Sequence, residues 1–164
     1  MKFESRFNVN KDMYKEYVYK VLYRNYFIKN AVIFLLAFLL LIFNRNDEIM
    51  ITLTSVALFI CLFGGIFLPR LTLKNLLKLT YELHGGSHPD TVVTFEDDIT
   101  LIEGKQRISF EYSQVKKYYR LRNCSVLMIS SQNGIMFVED ALKEKEFEKF
   151  IMEKCPQIEK IIQR

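Results

Sequence analysis

The residues whose types could do chemistry are few and scattered. His84 and His88 are four apart, but Gly85 and Gly86 lie between them and no carboxylate or cysteine completes a ligand set. Glu96, Asp97 and Asp98 form the densest carboxylate group, and three consecutive acids between two strand-like runs read as a solvated turn rather than as an acid and base pair. Cys61, Cys124 and Cys155 are an odd number without metal spacing, so they read as reduced, buried thiols. No glycine-rich phosphate loop or nucleotide fingerprint occurs. These observations predict no enzyme, no metal and no cofactor. The one stretch that invites a binding role is KKYYRLR, residues 116–122, because strand alternation would set Lys116, Tyr118, Arg120 and Arg122 on one face. Held near a membrane, such a face could meet anionic lipid headgroups; the plainer reading is an edge strand guarded by charge.

The elements that must position these residues are dominated by two apolar runs. Ile49–Leu68 carries no charge and is bounded by Asp47-Glu48 and Pro69-Arg70. Twenty helical residues span about 30 Å, the hydrocarbon thickness of a bilayer. A shorter run, Ala31–Phe43, reaches membrane length when extended back to Tyr26, which leaves Lys29 to snorkel at an interface. Only Asn44–Glu48 separates the two, so they predict a helical hairpin. Ala57, Cys61 and Gly65 recur every four residues and offer a small-residue stripe for close helix packing. Lys20, Arg24 and Lys29 precede the first run and Arg70, Lys74 and Lys78 follow the second, against Arg45 alone between them. That bias predicts a multi-pass protein of the cell membrane with both termini cytoplasmic. The first apolar run begins too late for a cleavable signal peptide, so the N-terminus should be retained.

The remainder divides around this hairpin. Residues 1–10 contain an alternating stretch, with Phe3, Phe7 and Val9 on one face, that predicts a strand docked on the soluble sheet. Residues 11–68 hold an aromatic-rich amphipathic helix, capped by Asn10 or Asp12, leading into spans at about 26–43 and 49–68. Residues 69–90 read as either a continuation of the second span or a separate surface helix, followed by the helix-breaking GGSHPD. Residues 91–164 change texture to six short β-rich runs with turns near Asp97-Asp98, Gly104, Ser113-Gln114, Arg122-Asn123 and Asn133-Gly134. Asn133-Gly134 carries the strongest local hairpin signal. Asp140 can cap a final amphipathic helix that buries Phe147, Phe150 and Ile151, with Pro156 soon after it. The expected fold is a membrane protein of α+β class: a two-helix transmembrane hairpin with a small cytoplasmic antiparallel sheet or open barrel, closed by a C-terminal helix.

This arrangement resembles the YcxB-like family of bacterial membrane proteins, which join two membrane helices to a C-terminal pleckstrin-homology-like domain. The resemblance rests on VTFEDDITL at 93–101, EYSQVKKYYRL at 111–121 and GIMFVEDALKEKEFEKF at 134–150. Where members of the family carry Pro-Lys before the final helix, this chain has Val138-Glu139-Asp140. The resemblance implies a pleckstrin-like fold and no reaction. Besides the lipid bilayer, the expected partner is therefore a protein held or regulated at the cytoplasmic face. An anionic-lipid-sensing domain and an accessory subunit of a membrane transporter are the alternatives. The net charge of +4 has its excess beside the apolar runs, where residues 1–30 hold seven basic and three acidic side chains. It does not predict a nucleic-acid partner.

Overall fold

A computed structural model describes residues 3–44, 46–85, 90–139, 144–158 and 160–163. Lys2, Arg45, His88, the remainder of the 86–89 segment and the expected cap Asp140 lie outside the described residues. The chain forms two compact units: a helical unit of Val18–Asn75, and a β-rich unit made of Met1–Tyr17 together with Leu76–Arg164.

In the helical unit, α2 (Arg24–Phe43) and α3 (Glu48–Leu83, whose last turns from Leu76 belong to the β-rich unit) are both long and apolar enough to cross a membrane. Polar side chains ahead of and on α2 meet α3 at small residues. Asn30 Nδ2 donates to the Cys61 carbonyl at 2.9 Å, and the hydroxyls of Tyr23 and Thr72 lie 2.7 Å apart. Gly65 of the small-residue stripe and its neighbour Gly64 leave the room: a Cβ on Gly64 would stand 2.7 Å from Tyr26 Oη, and one on Gly65 3.0 Å from Asn30 Nδ2. Pro69 forfeits one ladder hydrogen bond without ending α3, so of the two readings of residues 69–83 the continuous helix is the one found. Ahead of α2 the chain does not form one uninterrupted helix. Asn10 caps α1 (Lys11–Glu16) by accepting from Met13 N at 3.0 Å, a π-helical stretch follows over Tyr17–Leu22, and Tyr23 N reaches back five residues to the Val18 carbonyl at 2.9 Å.

The β-rich unit contains two four-stranded sheets and no closed barrel. The first runs β1-β2-β3-β4, from β1 (Phe3–Asn8), β2 (Asp90–Phe95), β3 (Ile99–Glu103) and β4 (Gln106–Phe110), all antiparallel. Alternation explains the N-terminal strand: Phe3 is buried and faces Phe95 in register, while Glu4 and Arg6 are exposed. The second sheet runs β7-β6-β5-β8, from β5 (Lys117–Arg120), β6 (Ser125–Met128), β7 (Gly134–Phe137) and β8 (Ile161–Gln163). β8 was not anticipated from the sequence. It pairs parallel to β5, Tyr118 opposite Ile161, so β5 is interior and not an edge.

One local expectation is met and another corrected. β4 ends at Phe110, and the turn expected near Ser113-Gln114 is a 3₁₀ turn of Tyr112–Gln114 locked by reciprocal bonds between Glu111 and Gln114. Asn133-Gly134 is not a two-residue hairpin turn: neither residue has a positive φ, and Gly134 already lies in β7 opposite Met128. The Ser130 hydroxyl accepts from the backbone of Gln132 and Asn133 and shapes a wider loop instead. Glycine serves here for close approach, since a Cβ on it would meet Val126 Cγ1 at 2.7 Å.

The core lies between the sheets and α4 (Glu144–Lys154). Phe147, fully buried, places its ring edge to face with Phe3, Phe95 and Phe137 at centroid distances of 5.3, 4.8 and 5.4 Å. Ser5, also fully buried, exchanges hydrogen bonds with the backbone of Val138, donating to its carbonyl at 2.9 Å and accepting from its N–H at 3.0 Å. The N-terminal strand is thus tied to both sheets.

Candidate functional site

The four residues singled out in KKYYRLR do not share an exposed face. Lys116 and Arg122 are exposed, but Tyr118 is fully buried, and the Arg120 side chain is 18% exposed. The physical reason is that β5 is flanked by β6 and β8 and covered on both faces, with Tyr119 buried as well. Tyr118 and Arg120 instead converge on Glu139, just beyond β7. The Tyr118 hydroxyl donates to Glu139 Oε1 at 2.6 Å, Arg120 Nε donates to the same oxygen at 3.1 Å, and Ser125 Oγ donates to it too. Arg120 Nη2 lies 2.8 Å from Glu139 Oε2 and 2.5 Å from Glu148 Oε1, which binds α4 to this sheet. Burial, reinforced by Glu139, raises the Tyr118 phenol well above its ordinary range. For Arg120, burial pulls its pKa down, and the two glutamates outweigh it and raise it. A phenol held neutral, a guanidinium held charged and a carboxylate saturated with donors make a structural junction.

The accessible polar surface is on the first sheet. Strand register sets Arg6, Val92, Ile102 and Arg107 in one row across its outer face, and Glu4, Thr94, Thr100 and Ser109 in the next. Two open grooves meet at Ile102. The first, of about 760 Å³, is lined by Arg6, His84, Asp90, Lys105 and Gln106 among others. His84 Nε2 stands 3.7 Å from Glu103 Oε2, with its side chain 7% exposed. The second groove, of about 380 Å³, brings Glu96, Asp97 and Asp98 to the same wall as Arg107, Thr100 and Ser109. Thr100 and Ser109 hydroxyls are 3.3 Å apart. Each groove therefore carries both cations and carboxylates. Arg6, Lys105 and Arg107 carry no motif. The signal for Arg6 and Arg107 was the alternation of their strands, which sets them opposite Val92 and Ile102 once the register is known, whereas Lys105 sits in the β3–β4 turn.

Buried tyrosines and a cysteine outside the apolar helices give this unit an alkaline limit. Burial pushes the Tyr17 phenol up to about 12 and the Cys155 thiol up to about 11. It raises the Tyr14 and Tyr112 phenols as well. In the unfolded chain these groups ionise near their ordinary values of 10.0 and 9.0, while the folded chain keeps its protons, so the unfolded state binds fewer protons between those limits. Stability is fully present below about pH 9 and is lost as pH rises toward 12. Melting curves followed alongside tyrosinate absorbance should show the midpoint falling over that window. A flat midpoint would sink the assignment.

Comparison with protein-family models, with curated proteins and with solved structures finds no match.

Proposed function

We propose that this chain is a YcxB-like, noncatalytic module anchored in the cell membrane by α2 and α3, whose pleckstrin-homology-like β-rich unit binds or regulates a protein partner at the cytoplasmic face. The apolar side chains of the two helices support the anchoring. Leu36, Phe43, Phe59 and Ile60 are 56, 80, 68 and 63% exposed, and an apolar surface running along both helices is tolerable only when something other than water covers it. Lipid does so, and the excess of Lys and Arg outside the hairpin favours cytoplasmic ends.

The observation that carries the choice of a protein partner is the mixed charge of the outer grooves. Asp90 beside Arg6 and Lys105, and Asp97-Asp98 beside Arg107, set a repulsion of anionic headgroups against the attraction of the cations. An opposing protein surface can match both signs and gain specificity from doing so. The test is purification of the intact chain and of its R6E/R107E variant in mild detergent, with bound proteins identified by mass spectrometry. A partner retained by the former and lost by the latter is the expected result. Unchanged partners, together with salt-sensitive association with phosphatidylserine vesicles that the variant loses, would replace this reading with lipid sensing.

A further inference from the structure

Among the described residues the first sheet ends on β4, which is hydrogen-bonded to β3 on one side and has no strand on the other. Gln106 through Ser109 are all exposed, and Ile108 is 47% exposed although register puts it on the inner face, in line with Leu101 and Val93. Edges of this kind are usually blunted, because unpaired backbone groups template another strand.

The backbone polarity of the edge follows from the β3–β4 turn. Glu103 faces Gln106 across two turn residues, and Gly104 has φ of 58°, as the first central residue of a type II′ turn requires. The closing pair of such a hairpin exchanges both its hydrogen bonds, so Gln106, Ile108 and Phe110 direct their backbone groups to β3. Those of Arg107 and Ser109 point away from the sheet. A second strand satisfies both residues at once if it runs antiparallel with Arg107 opposite its Ser109, and the twofold then passes between one Ile108 and the other.

Charge agrees with that register. Counting outward from Ile108, Lys105 falls opposite Glu111 of the second strand, and Arg107 is its diagonal neighbour. Lys105, in the β3–β4 turn, and Glu111, just past the end of β4, flank the strand, and both are exposed, as is Arg107. The acidic corner Asp97-Asp98 adjoins the Glu111 end of the edge, because Ile99 pairs with Phe110. A basic end and an acidic end on one edge repel when two copies lie parallel and attract when they lie antiparallel.

We infer that β4 pairs antiparallel with β4 of a second copy of this chain, in a register centred on Ile108, joining the two first sheets into one. This inference rests on the membrane-anchored reading. A five-residue edge buries less than a freely diffusing dimer needs, and confinement to a bilayer supplies the missing effective concentration.

The test uses the full chain with Cys61, Cys124 and Cys155 replaced by alanine, reconstituted at low density in phosphatidylcholine vesicles. Under mild oxidation the I108C variant should become a disulfide dimer at least tenfold faster than Q106C, whose two copies stand four residues out of register. K105E should cut the I108C yield several-fold, and adding E111K should restore it. Counting copies per vesicle by photobleaching, with the native cysteines in place, should show dimers for the native chain, monomers for K105E and dimers again for K105E/E111K. Equal cross-linking at both positions, or monomers throughout in chains whose melting is unchanged, overturns the inference. Monomers that still hold a different protein on this edge overturn self-pairing and leave the proposed function standing, whereas a chain that does not enter vesicles removes the anchoring on which both depend.

Discussion

Phe147→Ala is expected to destabilise the β-rich unit by about 3–5 kcal/mol, the range for removing a large aromatic side chain from a core that cannot collapse around the space. Phe147 is fully buried and touches rings from three parts of the sequence: Phe3 in the N-terminal strand, Phe95 in the first sheet and Phe137 in the second. Backbone from two sheets and a helix fixes the surrounding positions, so relaxation is limited. The expected readout is a large drop in the denaturant midpoint, followed by tyrosine fluorescence of the intact chain in mild detergent. Amide exchange of residues 3–8 should rise in the same variant, because Phe3 loses one of its two ring contacts from α4. A loss below about 1 kcal/mol would mean that α4 does not close this core.

Glu139→Ala is expected to cost about 3 kcal/mol, within the range found when one partner of a buried ion pair is removed. The substitution leaves the Tyr118 hydroxyl and Ser125 Oγ without their acceptor, and takes from Arg120 one of its two described carboxylates. Glu148→Ala should cost much less, since its side chain is 32% exposed and water can replace it at Arg120. Glu139→Gln keeps an acceptor for the phenol and should fall between the two. Denaturant unfolding of the three variants checks the order. If Glu148→Ala proves the more harmful, Glu139 is not the hub of this junction.

The contrast between these two predictions shows what the sequence makes legible. Phe147, Phe150 and Ile151 recur at helical spacing amid Lys and Glu, and Phe3 alternates with Glu4, so both elements announce their buried faces locally. The apolar runs that became α2 and α3 are legible for the same reason. Glu139 gives no such sign, because its donors lie 14 to 21 residues earlier and converge only after β5, β6 and β7 have paired. The role of β5 was hidden by β8. Three residues, Ile161–Gln163, are too short for a periodic signal, yet their parallel pairing turns a seemingly charged edge into an interior strand and draws Tyr118 and Arg120 inward. The grouping of residues on the outer face of the first sheet has no local sign either. Arg6 and Arg107 are 101 positions apart and share a row only through three consecutive strand pairings.

The proposed anchoring of residues 26–43 and 49–68 is tested most directly by single-cysteine labelling of intact cells with a membrane-impermeant maleimide, in a background lacking the three native cysteines. Asn46, Lys11 and Ser131 are all exposed, so burial does not confound the readout. The account predicts that Asn46→Cys reacts from outside, while Lys11→Cys and Ser131→Cys react only after the cells are opened. Reaction of Lys11→Cys and Ser131→Cys from outside with Asn46→Cys protected, or recovery of the chain in the soluble fraction, would contradict it.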